Sequence, residues 1–577
     1  MTRNSERTIA TSVLVIGTGG SGLRAAIELT YAGVDVLVVG KRPRLDAHTS
    51  LAAGGINAAL ATMDPADSWQ QHAADTIKES YLLADPRTVR IVTQGAARGI
   101  HDLERYGMPF AREADGRISQ RFFGAHRYRR TAFSGDYTGL EIQRTLIAET
   151  TRLDVPILDN VYVTRILVDN NVVFGAYGFD LADGSRYLIH ADAVILAAGG
   201  HTRIWRRTSS RRDENTGDSF RLAVEAGARL RDPELVQFHP SGILEPENAA
   251  GTLVSEAARG EGGVLRNALG ERFMANYDPE RMELSTRDRV ALAAYTEIRE
   301  GRGTPNGGVW LDVSHLPRQT IMTRLPRVYQ TLLDLQMLDI TTDPVEIAPT
   351  AHYSMGGVWV RPLDHSTDVD GLFAVGEAAS GLHGANRLGG NSLIELLVYG
   401  RITGQAAADY SRNLDAQRRS TNAVDLARAE ISTLLAADGP ENVRALQRAV
   451  RNTMTEHAGV VRDEPGLLAG LSELDTVEQR MADVGVHPDI AGFQDLAHAF
   501  DLKSSVLAAR ATMEAALVRR ETRGCHNRSD YPNLDHDLRV NLVWEPGKGV
   551  TKEAIPPVPD EIAVLMTEVS QEGKLVE

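Results

Sequence analysis

The stretch SVLVIGTGGSG at positions 12–22 constrains this chain more than any other. Its apolar run SVLVIG predicts a buried strand, LRAAIELTYA at 23–32 a helix, and VDVLVVG at 34–40 a second buried strand. Two such strands joined through a helix make a βαβ unit, because parallel strands need a long crossover. Gly17, Gly19 and Gly22 stand at GxGxxG spacing between strand and helix, with Gly20 among them. Such glycines permit a tight turn and close approach of the backbone to a pyrophosphate. The helix then offers free N–H groups and the positive end of its dipole. A glycine-rich turn alone is weak evidence; its place between strand and helix makes it a dinucleotide site.

The second strand ends in VVGKR, so Lys41 follows it where NAD sites usually place a carboxylate for the ribose hydroxyls. Far along the chain, GLFAVGEAA at 371–379 repeats the strand-then-glycine style and puts Glu377 at a strand end. A cofactor touched from both ends of the sequence suits FAD better than NAD. Between these segments, 161–180 and 186–190 alternate like a meander, with turn signals at Asn170-Asn171 and Asp183-Gly184. AVILAAGG at 193–200 reads as a further, separate strand.

Residues 241–351 mix glycine-rich turns with short helices, and 405–522 is helical, as in VRALQRAVRNTMTEH. The tail beyond 540, with Pro556, Pro557 and Pro559, predicts a small extended element. The expected fold is α/β. A Rossmann-like FAD-binding domain (1–240 and 352–405) carries an inserted α+β capping domain (241–351). A helical domain (406–535) and a short C-terminal segment (536–577) follow.

Composition narrows the function. At 577 residues the chain is too long for one core. A formal net charge of −15 argues against nucleic acid as a partner. No uncharged apolar run reaches the roughly 18 residues that cross a bilayer, and the N-terminus shows no signal-peptide pattern, so a cytosol-side protein is expected. The single cysteine, Cys525, excludes a disulfide framework, an iron–sulfur cluster held by this chain alone, and CxxCH haem attachment. No metal site is expected.

Eight blocks recur in one order: AHTSLAAGGINAA, ELVQFHPSG, LVSEAARGEGG, STRDRVA, PTAHYSMGG, GLFAVGEAA, LHGANRLGGNSL and RETRGCHNRSDYP. With them the chain resembles the flavoprotein subunit of succinate dehydrogenase and fumarate reductase, from about residue 12 to 535. The soluble relative L-aspartate oxidase shares many of the blocks. The resemblance implies FAD joined covalently to the histidine of the HT…GG block, which is His48. A covalent tether raises the flavin's potential and prevents its loss; the alternative is that His48 only packs nearby. Thr49, Gly54, Gly55, Ala198, Gly199 and Asp218 would line the cofactor, with Lys41 and Glu377. Asn391 and Ser392, opening a helix, are placed for its pyrimidine edge or a phosphate.

Oxidising succinate removes a hydride from one carbon and a proton from its neighbour. The site must grip two carboxylates, hold the substrate against the flavin and place a proton acceptor opposite. The resemblance assigns His239, Ser255, His352 and Arg387 to the dicarboxylate. Taken singly, each histidine is more readily a satisfied structural residue. Arg387 can grip a carboxylate bidentately. Ser255 stands where threonine is usual, and the hydroxyl survives. Arg287 matches the family's proton-transferring arginine. Since arginine is a poor base, with a pKa above about 12, it needs a relay, which Glu256 and Arg259 could supply. Its bland alternative is an ion pair with Asp288 or another surface acid.

Aspartate oxidases carry a glutamate near the position of Phe123 to meet the substrate's ammonium; here no carboxylate stands between Asp115 and Asp136. Cys525 occupies a place where small residues are usual and reads as a packing substitution. The chain has no second redox motif, so its electrons must leave. The resemblance implies an iron–sulfur partner protein, a membrane anchor and quinone, with this chain peripheral on the cytoplasmic face. The competing readings are a free-standing L-aspartate oxidase forming iminoaspartate and a flavin-binding scaffold without turnover. The physiological direction is not written in the residues.

Overall fold

A computed structural model of the protein describes residues 5–488 and 492–572. The chain opens with strand β1 (Glu6–Ile16), helix α1 (Gly20–Tyr31) and strand β2 (Val36–Gly40). β2 lies parallel to β1, and all five of its residues are buried, the pattern of a strand covered on both faces. Helix α2 (Trp69–Glu79) precedes the edge strand β3 (Ile157–Asp159) and the meander β4 (Val161–Asp169), β5 (Val172–Asp180) and β6 (Arg186–Leu196). The strand order is β3-β2-β1-β6-β5-β4. Asn170 and Asn171, at φ 49° and 64°, make the two-residue turn between β4 and β5, as hairpin twist favours.

β6 corrects the sequence reading. The polar residues His190 and Asp192 split the apolar pattern, yet one strand runs through them. Its first half pairs antiparallel with β5, and its last three residues pair parallel with a strand from much later in the chain. The strand changes neighbours where its polarity changes.

Helix α3 (Asp218–Ala226) and β7 (Leu230–Arg231) lead to β8 (Val236–Ile243). β8 belongs to an inserted antiparallel sheet with β9 (Val264–Arg266), β10 (Val309–Asp312) and β11 (Val345–Ser354), in the order β8-β11-β10-β9. Helix α4 (Arg287–Glu297) packs on β8 and β11. This insert has its own core, centred on Leu265, Phe273, Val309 and Ile347. The chain then re-enters the central sheet as β12 (Leu372–Ala374).

Helix α5 (Asn391–Arg412) packs along α1, followed by α6 (Val443–His457) and α7 (Gln494–Val518) among the C-terminal helices. The tail is more than the small extended element read from its prolines. β13 (Val540–Glu545) and β14 (Gly549–Ala554) form a hairpin whose first strand pairs with β7. Helix α8 (Asp560–Glu572) then returns to pack on α2. Trp544 anchors the hairpin, buried with its indole N–H donating to Glu514 at 2.6 Å. The class is α/β, with an inserted sheet and a helical C-terminal part, and the inserted sheet faces the glycine turn across one large cavity.

Candidate active site

The cavity has a volume of about 1630 Å³ and is lined by the glycine turn, the segment after β2, the end of β6, the inserted sheet and the start of α5. At the glycine-turn end, Gly17 and Gly19 line the wall, while Gly20 and Gly22 do not. Gly17 sits at φ 124°, and a Cβ there would lie 2.1 Å from the Ala197 carbonyl oxygen. One on Gly22 would lie 2.1 Å from the Gly17 oxygen. Two glycines thus pack helix against strand, and the turn's own backbone faces the ligand. The Gly20 N–H donates to Thr49 Oγ1 at 3.0 Å, tying the HT block to the turn. Thr49, Gly54, Gly55, Ala198 and Gly199 all line the cavity.

Lys41 reaches Asp218 Oδ2 at 3.1 Å and Asp501 Oδ1 at 2.5 Å. Burial alone would lower the lysine's pKa, but the two carboxylates win and raise it. The Tyr162 hydroxyl donates to the same two acids. Asp501, on α7, carried no signal in the sequence. Its Oδ2, like Nδ1 of His498, is buried without a hydrogen-bond partner, and both residues line the cavity. A ribose or base edge fits such free polar atoms. Asp213, His498 and Asp501 come together closely enough to hold an ion. Lys41 beside Asp501 and Arg212 at 3.9 Å from Asp213 already supply positive charge there.

His48 forms the next part of the wall. Its Nδ1 donates to Glu214 Oε1 at 2.9 Å, which leaves Nε2 as the ring atom able to meet a ligand. Burial would lower this imidazole's pKa, but the Glu214 charge outweighs it and the net shift is upward. Glu377 accepts from the Ser354 N–H at 3.0 Å, and burial pushes its carboxyl up.

The opposite end of the cavity gathers cations. Arg387 is 6 % exposed and has no ion-pair partner among the described residues. It lies 4.2 Å over the Tyr353 ring, and its Nη1 donates to Ser392 Oγ. Burial, then repulsion from Arg287, lowers it to about 10. Arg287 donates through Nε and Nη2 to Glu256 Oε2 at 2.8 and 2.7 Å. Burial would raise Glu256, but Arg287 and Arg259 hold it at about 2. The His239 and His352 rings pack edge to face, 5.3 Å apart. Burial and the neighbouring arginines push both well below the ordinary imidazole value, so they meet a ligand as neutral donors or acceptors. His352 Nδ1 is 2.9 Å from Ser209 Oγ, and His239 Nδ1 accepts from the Ser241 N–H. Ser255 and Phe123 complete this end.

Comparison with known proteins shows the family to which the chain belongs. A family model described as FAD binding domain matches residues 12–393, and one described as Fumarate reductase flavoprotein C-term matches 447–557. A CoM/CoB fumarate reductase chain of Methanothermobacter marburgensis is 41 % identical over 533 residues, covering 92 % of this chain and 96 % of its own. The fumarate reductase flavoprotein subunit of Mycobacterium tuberculosis is 37 % identical, covering 95 % and 97 %. The solved Mycobacterium smegmatis Sdh1 in complex with UQ1 superposes with a TM-score of 0.88 at 37 % identity, covering 98 % of both chains. The chain belongs to the family of succinate dehydrogenase and fumarate reductase flavoprotein subunits. It is an FAD-dependent oxidoreductase of that family.

Within this flavoprotein, two residues stand apart from the roles read for them. Asn391 is fully buried and does not line the cavity. Its side chain accepts from Asn57, pairs with His72 Nε2 and donates to Thr76, holding the start of α5 in place. Arg259 also lies behind the wall: its Nη1 donates to the Glu283 carbonyl, and its Nη2 stays 4.0 Å from Glu256. That separation is an ion pair, not a hydrogen-bonded relay. Ser392 does line the cavity, but its hydroxyl serves Arg387. Cys525 is buried beside Asn386, and burial pushes its thiol well up, which suits packing. Sequence reasoning missed Gln237, Tyr353, Glu214 and Asp501. Gln237 and Tyr353 had a signal: each stands within two residues of an assigned histidine, in the blocks ELVQFHPSG and PTAHYSMGG.

Proposed function

We propose that this flavoprotein interconverts succinate and fumarate, with FAD held covalently through His48 Nε2. Electrons pass to an iron–sulfur partner and, through a membrane anchor, to quinone. The observation that carries the reading is Arg387, a buried guanidinium facing the cavity with no ion-paired carboxylate among the described residues. Such a charge is costly unless an anion pairs with it, and a substrate carboxylate supplies the pair. Arg287, already bound to Glu256, stands near enough to lower Arg387 electrostatically, so two cations share one end of the cavity.

FAD, when bound, supplies or takes the hydride. In the reducing direction Arg287 would deliver the proton to the neighbouring carbon and regain one from solvent by way of Glu256, whose resting form at neutral pH is the carboxylate. Arg259 acts on Glu256 by charge alone. Gly17, Gly19, Thr49, Gly54, Gly55, Ala198 and Gly199 would hold the cofactor, with Lys41, Asp218 and Glu377 fixing the wall. The neutral His239 and His352, with Ser255, would hydrogen-bond the second carboxylate. Glu256 is engaged by Arg287, and Phe123 occupies the wall where an aspartate oxidase would carry its glutamate, which weighs against aspartate.

The relatives support separate electron partners, and their names differ in that partner: CoM/CoB for one, UQ1 for another. No helix among the described residues is long and apolar enough to cross a membrane, which supports peripheral attachment through a partner. The test is fumarate-dependent oxidation of reduced viologen by protein from its own host, run beside a denaturing gel viewed for flavin fluorescence. Fumarate turnover and a fluorescent band that His48→Ser abolishes are expected. Turnover of aspartate with FAD released on denaturation would overturn the reading.

A further inference from the structure

One buried chain of side chains runs behind the two arginines, and neither motif nor family assignment gives it a role. Gln237 is fully buried on β8, two residues before His239. Its Oε1 accepts from Arg387 Nε at 3.2 Å and from Arg287 Nη1 at 3.4 Å. Its Nε2 donates to the Arg387 carbonyl at 3.0 Å and to Asn386 Oδ1 at 2.7 Å. Asn386, also buried, turns its Nδ2 away from the site, donating to Glu79 Oε1 at 2.6 Å and Asp288 Oδ1 at 2.9 Å.

The direction of this chain is forced. An amide has one end that only accepts and one that only donates. Asp288 already accepts from the Tyr81 hydroxyl through Oδ2 and presents Oδ1 to Asn386. Asn386 must therefore point its NH₂ at the acids and its oxygen at Gln237. Gln237 must then point its NH₂ at Asn386 and its oxygen at the guanidiniums. Turning Gln237 over would set NH₂ against two cations and oxygen against two oxygens. The links from Arg387 through Gln237 and Asn386 to Asp288 are buried, so a wrong orientation leaves unpaired polar groups and is strongly disfavoured.

We infer that Gln237 is the positioning residue that holds Arg287 and Arg387 in register with each other, and that Asp288, through Asn386, sets which way Gln237 points. One oxygen gripping both guanidiniums fixes the spacing at which two substrate groups are met. Without it, among the described residues Arg387 keeps Ser392 and the Tyr353 face. Arg287 keeps Glu256. Asp288, next to Arg287 in the chain, thus acts on the site through two amides and not as that arginine's ion-pair partner.

The functional arm rests on the succinate–fumarate reading. Gln237→Met, Asp288→Asn and their combination would be made in the FAD-loaded protein. The readouts are kcat/KM for fumarate and binding of malonate, a dicarboxylate that cannot be dehydrogenated, followed by flavin absorbance. Gln237→Met should lower kcat/KM and malonate affinity by roughly 10- to 100-fold, as loss of a hydrogen bond to a charged group does. Asp288→Asn should cost about 3- to 10-fold alone and nothing further in the Gln237→Met background, because both act through one chain. Fold-changes that multiply in the double variant, or a Gln237→Met enzyme within about twofold of the unaltered one, would overturn the inference.

Should Gln237→Met fail to load FAD, Gln237→Asn is too short to bridge both arginines and should show the same loss. If the unaltered protein neither reduces fumarate nor binds malonate, the proposed function falls, and a crystal structure of the Gln237 variant still decides the inference. An Arg387 guanidinium moved off the Tyr353 ring supports it; both arginines unmoved overturns it.

Discussion

The two ends of the cavity handle charge in opposite ways. At the glycine-turn end, Lys41 is locked between Asp218 and Asp501. At the other end, Arg387 makes no ion pair among the described residues; Glu377 and Glu256 act on it only from a distance, and its ordinary pKa is eroded to about 10. The Lys41 charge is paired within the first end, where Asp501 Oδ2 and His498 Nδ1 stay free of hydrogen bonds, whereas Arg387 at the second has no ion-pair partner among the described residues. On the proposed reading, the first end holds a resident group by shape and helix dipole, and the second a passing substrate by charge.

Removing charge from each end tests that contrast most strongly. Arg387→Met should lower kcat/KM for fumarate by roughly 10²- to 10⁴-fold, the loss typical of a buried charge-assisted pair, and leave FAD content unchanged. Steady-state kinetics beside a flavin-to-protein ratio would check it. Lys41→Met should do the reverse, leaving Asp218 and Asp501 buried without a cation at about 3–5 kcal/mol. FAD content and the urea midpoint should fall, while KM for fumarate in the molecules still loaded stays the same. If both variants lost cofactor and substrate affinity alike, the division between the ends would fail.

How much of this was legible beforehand follows the same line. The phosphate turn, His48 and the arginine blocks could be read because each sits in a contiguous run whose glycines and polar residues have few other uses. Asp501 could not, because it meets Lys41 only when α7 folds back across the sheet. Nor could the tethering of His48 by Glu214, 166 residues away. Asn391 misled because opening a helix after two glycines looks like an anion site, yet its amide turns inward to Asn57, His72 and Thr76. β6 was split in two because polarity along one strand reports its neighbours as well as its ends.

Smaller effects sharpen the picture. Glu256 is held at about 2, below its ordinary 4.5. A depressed carboxylate contributes stability that is present above its unfolded value and lost as pH falls through the folded one. Between roughly pH 4.5 and 2, then, stability of the unaltered protein should fall more steeply than that of Glu256→Gln, measured by chemical denaturation across that range. Equal slopes would mean the Arg287 pair does not hold the charge. Ser255→Thr, which keeps the hydroxyl, should change kcat/KM by no more than about threefold; a larger loss would show that the cavity has no room for the methyl group.

The most direct measurement follows the flavin alone. The protein would be reduced anaerobically with dithionite, freed of excess reductant, and mixed with fumarate while the flavin absorbance is recorded. The flavin is predicted to reoxidise, with one succinate formed per flavin, and Arg387→Met protein should remain reduced on the same timescale. A flavin that stays reduced in the unaltered protein at saturating fumarate would contradict a dicarboxylate site at the cationic end of the cavity.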